Sequence, residues 1–299
     1  MAWFFGERLT FSSNIRCSLS IGLVLLVAIA GGSSSGATST HDIFYQRIGG
    51  VSTPPSQEES ADDDGDDQKH ENADDLKVEQ IIQELFLGFV VYPQDRGEVQ
   101  FTTGFFHGFK SSTDGLLPVE IEYGLTDRFQ LGLEVPIEFL HDDTGIKRGV
   151  GQIELTPYYN FYSSRESQSA YGVGFSFVFP SASTDIGPRA CTYEPFFVAY
   201  HKFPAFAVNF SSSLAIEDSL KRGEQSEVSG DLDLAFFRQI GKFVPILEAN
   251  VEIERQTTSM RLAPAIFWKP VRGREFGVSI PIGLSGEAAH MGVFVLLIW

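Results

Sequence analysis

"YGLTDRFQLGLEVP" (Tyr123–Pro136) alternates apolar and polar residues, pauses at "TDR" (126–128), and then alternates again. Successive side chains of a strand point to opposite faces, so a two-residue period marks a strand and the pause marks a turn between two of them. Extending the stretch in both directions defines the faces. Val119, Ile121, Tyr123 and Leu125 share one side, against Glu120, Glu122 and Gly124. Beyond the turn, Phe129, Leu131, Leu133, Val135, Ile137 and Phe139 oppose Gln130, Gly132, Glu134 and Glu138. A three-residue loop at 126–128 pairs Leu125 with Phe129, Tyr123 with Leu131 and Glu120 with Glu134, which keeps the two apolar faces together. Whether a second sheet or lipid covers that apolar face decides the fold.

The same pattern runs from Gly97 to Trp299. About twelve runs of about ten residues are expected, at 97–109, 117–125, 129–140, 150–162, 169–180, 191–201, 205–215, 227–237, 243–255, 258–269, 275–285 and 290–299. Tight turns (126–128, 163–168, 202–204, 238–242, 270–274) alternate with longer polar loops (110–116, 141–150, 180–190, 217–226). A membrane barrel collects short turns at its periplasmic rim and longer loops at its outer rim. A Greek-key sandwich has no reason to alternate in this way. Runs of this length cross a bilayer as tilted strands. In lipid their backbone groups must pair internally, which requires a closed barrel.

The expected fold is therefore all-β: an up-and-down antiparallel transmembrane β-barrel of about twelve strands over 97–299, preceded by a disordered acidic N-terminal segment. Two features strain this expectation. Pro136, Pro157, Pro195, Pro245, Pro264 and Pro281 fall inside proposed strands, where a missing N–H calls for an edge or a bulge. The final run, "GVFVLLIW", is apolar on both faces, with Phe294, Leu296 and Ile298 beside Val293, Val295 and Leu297.

The N-terminus places Arg8 and Arg16 before "LSIGLVLLVAIA" (19–30), an apolar run too short to span a bilayer and followed by small residues. It reads as a secretory signal over 1–30. Residues 31–80 form a Ser/Gly-rich and then acidic linker; 57–80 alone holds eleven acidic residues against Lys69 and Lys77. Such a block repels itself and cannot bury apolar area. Residues 81–96 are a lead-in, either a short helix or a plug.

The 299-residue chain is 43% hydrophobic and 20% charged, with 27 Phe against 3 Trp and 3 Met. Its net charge of −17 and lack of a basic stripe argue against nucleic-acid binding. The six His residues show no metal-like spacing, and no GxSxG, HExxH or P-loop pattern is present. No catalytic, cofactor-binding or metal-binding residues are expected.

Arg96–Phe105 ("RGEVQFTTGF"), the hairpin Val119–Pro136 and the aromatic C-terminus together resemble an outer-membrane β-barrel family associated with meta-pathway phenol degradation and often called transporters. The resemblance covers 97–299 and leaves the acidic tract outside. It implies a barrel of about a dozen strands that passes small, aromatic compounds, and it brings no site residues with it.

The inward-facing charges are the strongest chemical feature. Glu120, Glu122, Glu134, Glu138, Glu154, Asp231, Asp233, Glu248, Glu252 and Glu254 are expected to face the lumen, with Arg261 as the basic counterpart. Like charges opposed across a ladder destabilise it unless water, a base or a cation offsets them. They suit a pathway for cationic or neutral polar solutes, or they are simply solvated. The expected function is an outer-membrane channel or transporter for small solutes in a Gram-negative-type envelope, with outer-membrane lipid as its surroundings. The alternatives are a non-conducting structural or adhesive barrel whose acidic tail binds a periplasmic or wall partner, and a soluble periplasmic sandwich. Nothing in the sequence fixes the oligomeric state.

Overall fold

The computed structural model describes residues 78–109, 113–142, 145–183, 186, 190–219, 226–254, 257–285 and 291–299. The signal over 1–30 and nearly all of the linker over 31–80 lie outside the described residues. Fourteen antiparallel strands form one sheet, which closes on itself where the first strand pairs with the last. In chain order they are β1 (Val99–Phe109), β2 (Thr113–Thr126), β3 (Phe129–Asp142), β4 (Gly145–Val150), β5 (Glu154–Ser164), β6 (Ser169–Val178) and β7 (Ala190–Lys202). There follow β8 (Ala207–Ser219), β9 (Glu227–Phe237), β10 (Phe243–Ile253), β11 (Thr258–Val271), β12 (Arg274–Ser279), β13 (Ile282–Ser285) and β14 (Met291–Ile298). β4 and β5 both pair with β3 and share one place in the wall; β12 and β13 share another. The result is a twelve-membered up-and-down barrel.

Both interruptions have local causes. Between β4 and β5 the register against β3 slips by one residue, and the Gly151 N–H turns to the Pro136 carbonyl at 2.8 Å. Between β12 and β13 stands Pro281, which has no N–H to continue the ladder. The other five prolines stay inside continuous strands: Pro136 opposite Pro118, Pro157 opposite Leu131, Pro195 opposite Phe175, Pro245 opposite Ile266 and Pro264 opposite Leu247. The expected irregularity is thus found at Pro281, where the strand breaks, and at Pro136, beside which the register slips between β4 and β5. Elsewhere each proline forgoes one donor while its neighbours keep the register.

The 123–136 hairpin follows the expected register from Ile121↔Leu133 to Tyr123↔Leu131, and Glu120 stands opposite Glu134. At the turn it differs. Thr126, not Leu125, pairs with Phe129, and Leu125 is the extra residue of a bulge after Gly124.

The two faces are inverted relative to a soluble protein. Leu247 is 43% exposed while its neighbour Glu248 is 1% exposed. Phe105, Leu133, Leu214, Leu232, Ile266 and Trp268 are likewise exposed, whereas Gln100, Glu122, Asn160, Asn209, Ser211 and Asn250 are buried. Large apolar side chains on an outer surface mark contact with an apolar medium.

Candidate functional site

The interior of the barrel is not empty. Residues 78–96 contain no helix; they run as an extended chain that enters at the short-turn rim, bends and returns to it. Val78 lies by Ser163 at the end of β5, and Glu79 pairs with Lys202 at the end of β7. The deepest part, Phe86–Phe89, reaches Glu248 midway along β10 and Ser211 on β8. The return places Gln94 against Gln130 and the Gly97 N–H on the Gly124 carbonyl, beside the first hairpin turn.

The wall holds this inner segment mainly through its backbone. N–H groups of Phe86 and Leu87 donate to the Glu248 carboxyl at 2.8–3.1 Å, Gln94 donates to Gln130 Oε1 at 2.8 Å, and Phe89 donates to Ser211 Oγ at 3.3 Å. Carbonyls accept in turn. Lys269 Nζ donates to Ile81 O at 2.7 Å, Asn209 Nδ2 to Phe89 O at 2.8 Å, and both Tyr158 Oη (2.7 Å) and Asn160 Nδ2 (2.9 Å) to Val91 O. An extended peptide with no neighbouring strand leaves its amides unpaired, and buried amides need partners. Here the side chains of the wall supply them.

Side chains of the segment complete an apolar core inside the barrel. Ile81, Ile82, Leu85, Phe86, Val91 and Tyr92 are buried against inward residues at the short-turn ends of the strands, among them Val198, Val244, Phe267, Leu296 and Ile298. Phe86 stacks on Phe267 at 5.0 Å between ring centroids, and Phe89 lies flat on Phe196 at 3.9 Å. Phe196 itself lies over Gly174, where an added Cβ would come within 2.1 Å of the ring. The apolar inner face of the last strand is explained by the same contacts: Phe294, Leu296 and Ile298 pack on the inner segment.

The predicted carboxylates divide between two settings. Glu122 and Glu248 belong to the filled half. Glu122 is buried and accepts from the side-chain amides of Gln94, Gln100 and Gln130. It serves the seat of the inner segment, neither lining open space nor standing in water. Glu84, on the inner segment and not on a strand, faces Glu122 and Glu120. Burial away from water, and then the neighbouring Glu122 and Glu120 carboxyls, push its own carboxyl well above the ordinary range.

The others lie farther toward the long-loop rim. Glu120, Glu134 and Glu154 form a row across β2, β3 and β5, and Glu154 accepts from Thr156 Oγ1 at 2.9 Å. Asn250 Nδ2 bridges Asp233 (2.8 Å) and Asp231 (3.2 Å), and Asp233 also accepts from Ser211. Arg261 ion-pairs with Glu252 at 2.9 Å and reaches Asn250 Oδ1 at 3.3 Å. Glu138 lies farther along β3 than Glu134, beside Gly151. Glu254 stands apart, exposed beyond the end of β10 and bonded to Thr257 of its own loop.

Sequence reasoning missed Glu84, Glu194 and Glu275. Glu194 lies opposite Ser176 on β7, and Glu275 is buried in an ion pair with Lys269 at 2.7 Å. Among the described residues no group of His, Cys, Asp and Glu is arranged to hold a metal ion.

No family model and no curated protein matches this chain. The resemblance to the phenol-degradation family therefore has no matching model behind it. Solved structures do match. An outer membrane channel from Pseudomonas putida F1 aligns with 70% of this chain and 97% of its own, at a TM-score of 0.54 and 12% identity. The NanC porin covers 67% of this chain and 98% of its own at 0.48 and 8% identity. The KdgM porin, solved with disordered oligogalacturonate, covers 67% and 97% at 0.46 and 11%. The fold is that of an outer-membrane β-barrel.

Proposed function

We propose that this outer-membrane barrel is a channel for small solutes, closed at its short-turn, periplasmic end by its own residues 78–96. The observation that carries this reading is the two-part interior. The half near the short turns is packed with apolar side chains and a hydrogen-bonded peptide. The half near the long loops is lined by Glu120, Glu134, Glu154, Glu194, Asp231 and Glu252, with Arg261 paired to the last of these.

A barrel built only as a scaffold gains nothing from opposing Glu120, Glu134 and Glu154, because adjacent like charges weaken a sheet. A water-filled entry offsets that cost and concentrates cations at its wall. The solutes it favours are cationic or neutral polar. The fold shared with an outer membrane channel and the apolar outer belt support the location.

Full-length protein in planar bilayers is expected to show infrequent openings whose reversal potential in a salt gradient favours cations. Glu134→Gln combined with Glu154→Gln is expected to lower the cation-to-anion permeability ratio at least about twofold. An unchanged reversal potential removes these carboxylates from the pathway. A barrel that migrates as folded on gels yet stays silent at every voltage favours the non-conducting alternative.

A further inference from the structure

The lower interior is unusual in what it recognises. A wall that fills space needs only apolar contact, but this one meets the inner segment with acceptors for its N–H groups and donors for its carbonyls. Glu248, Ser211 and Gln130 take N–H groups from Phe86 to Gln94. Lys269, Asn209 and Tyr158 give protons to the carbonyls of Ile81, Phe89 and Val91. These wall groups come from β3, β5, β8, β10 and β11 and so surround the peptide. Donors and acceptors spaced along an extended chain match a peptide backbone, whereas a simple ion presents no such spaced pattern. Main-chain bonds of this kind give affinity with little dependence on sequence.

Side-chain selectivity comes at two places. At Gly88 an added Cβ would meet Ser211 Oγ at 2.8 Å and Asp233 Cβ at 2.9 Å, so a residue with no side chain is required. At Phe89 the face of Phe196 takes a flat ring. The seated sequence "FLGF" (86–89) meets both demands.

We propose that the lower lumen is a binding site for extended peptides, that residues 78–94 are its resident occupant, and that an incoming peptide with aromatic residues around a glycine can take their place. The inference rests on the channel reading for the consequence of displacement, which is opening, and not for the binding itself.

The test uses the full chain with a specific protease site inserted between Arg96 and Gly97, in an exposed turn. The protein is folded, cut, and challenged with a synthetic peptide of residues 78–95. The expected result has two parts. Fluorescently labelled peptide exchanges into the cut barrel, and in planar bilayers the cut barrel, washed free of its segment, conducts until the peptide is added. The same peptide N-methylated at Phe86 and Leu87 lacks the donors to Glu248 and is expected to bind roughly tenfold more weakly, or worse.

Conduction that no peptide blocks, with no labelled peptide bound, overturns the peptide site and leaves the channel reading standing. Labelled peptide that exchanges into a barrel that never conducts supports the site and removes the channel reading. Equal binding of the methylated and unmethylated peptides overturns main-chain recognition. Absence of both exchange and conduction overturns both.

Discussion

Glu248→Ala is expected to unseat the inner segment and turn a mostly closed barrel into one that opens frequently. Glu248 is 1% exposed, and its two carboxyl oxygens take the N–H groups of Phe86 and Leu87, the deepest residues of the segment. Alanine leaves both amides without an acceptor. Each buried unpaired donor costs about 1–3 kcal/mol, so the seat loses about 2–6 kcal/mol. The upper part of that range lowers the closed-to-open equilibrium constant by more than about a thousandfold. Open probability in planar bilayers measures the effect directly, and cleavage at Glu84 by a Glu-specific protease measures it independently. Glu248→Gln keeps an oxygen acceptor at the same place and is expected to lie between wild type and Glu248→Ala. Unchanged gating and unchanged cleavage in Glu248→Ala would show that apolar packing alone holds the segment.

Gly124→Val is expected to disrupt the closed end of the barrel without touching the lumen carboxylates. An added Cβ at Gly124 falls 2.0 Å from the Asp95 carbonyl oxygen and 2.5 Å from that of Gln94. These are backbone atoms and cannot swing aside as a flexible side chain would. The Gly124 N–H also donates to the Glu98 carbonyl at 3.0 Å, and its carbonyl accepts from the Gly97 N–H at 2.7 Å, so a shift breaks both bonds. Overpacking against rigid atoms costs about 3 kcal/mol, the high end of what such insertions cost. The predicted readouts are a lower midpoint for heat-modified gel migration and faster proteolysis at Arg96. A midpoint and proteolysis rate equal to wild type would mean that the return of the inner segment is not anchored at this hairpin.

Much of the wall was legible from residues 123–136 outward, because a two-residue period admits one assignment of faces once the apolar side is known. Glu120 opposite Glu134 followed from that parity. The bulge at Leu125 did not: it sits beside Gly124, against which the Asp95 backbone packs, and that contact comes from outside both strands.

The inner segment was the least legible element. It has no regular period, since its amides bond to side chains from many strands and not to a neighbouring strand or to themselves. A signal existed nonetheless. Inward positions near the short turns are repeatedly apolar, as at Val198 and Tyr200, Val244 and Ile246, and Leu296 and Ile298. An interior that is greasy at one end and acidic at the other calls for an apolar filler at the greasy end. The alternation set the carboxylates on the face opposite the apolar belt, but did not show that Glu122 and Glu248 meet the inner segment while Glu252 pairs with Arg261. That division depends on how deep the segment reaches.

That the inner segment precedes the wall in sequence has a consequence for assembly. Its bonds to Glu248, Lys269 and Glu275 span 162, 188 and 192 residues. Phe86 also packs against Phe294 of the strand that closes the ring. The first part of this region to be made is therefore the last to find its contacts, since loop closure over such separations precedes any reward from them. A ring missing one strand offers only part of the seat. Filling of the interior thus reports that every strand has arrived in order, and a nascent barrel stays unsealed until its circumference is complete.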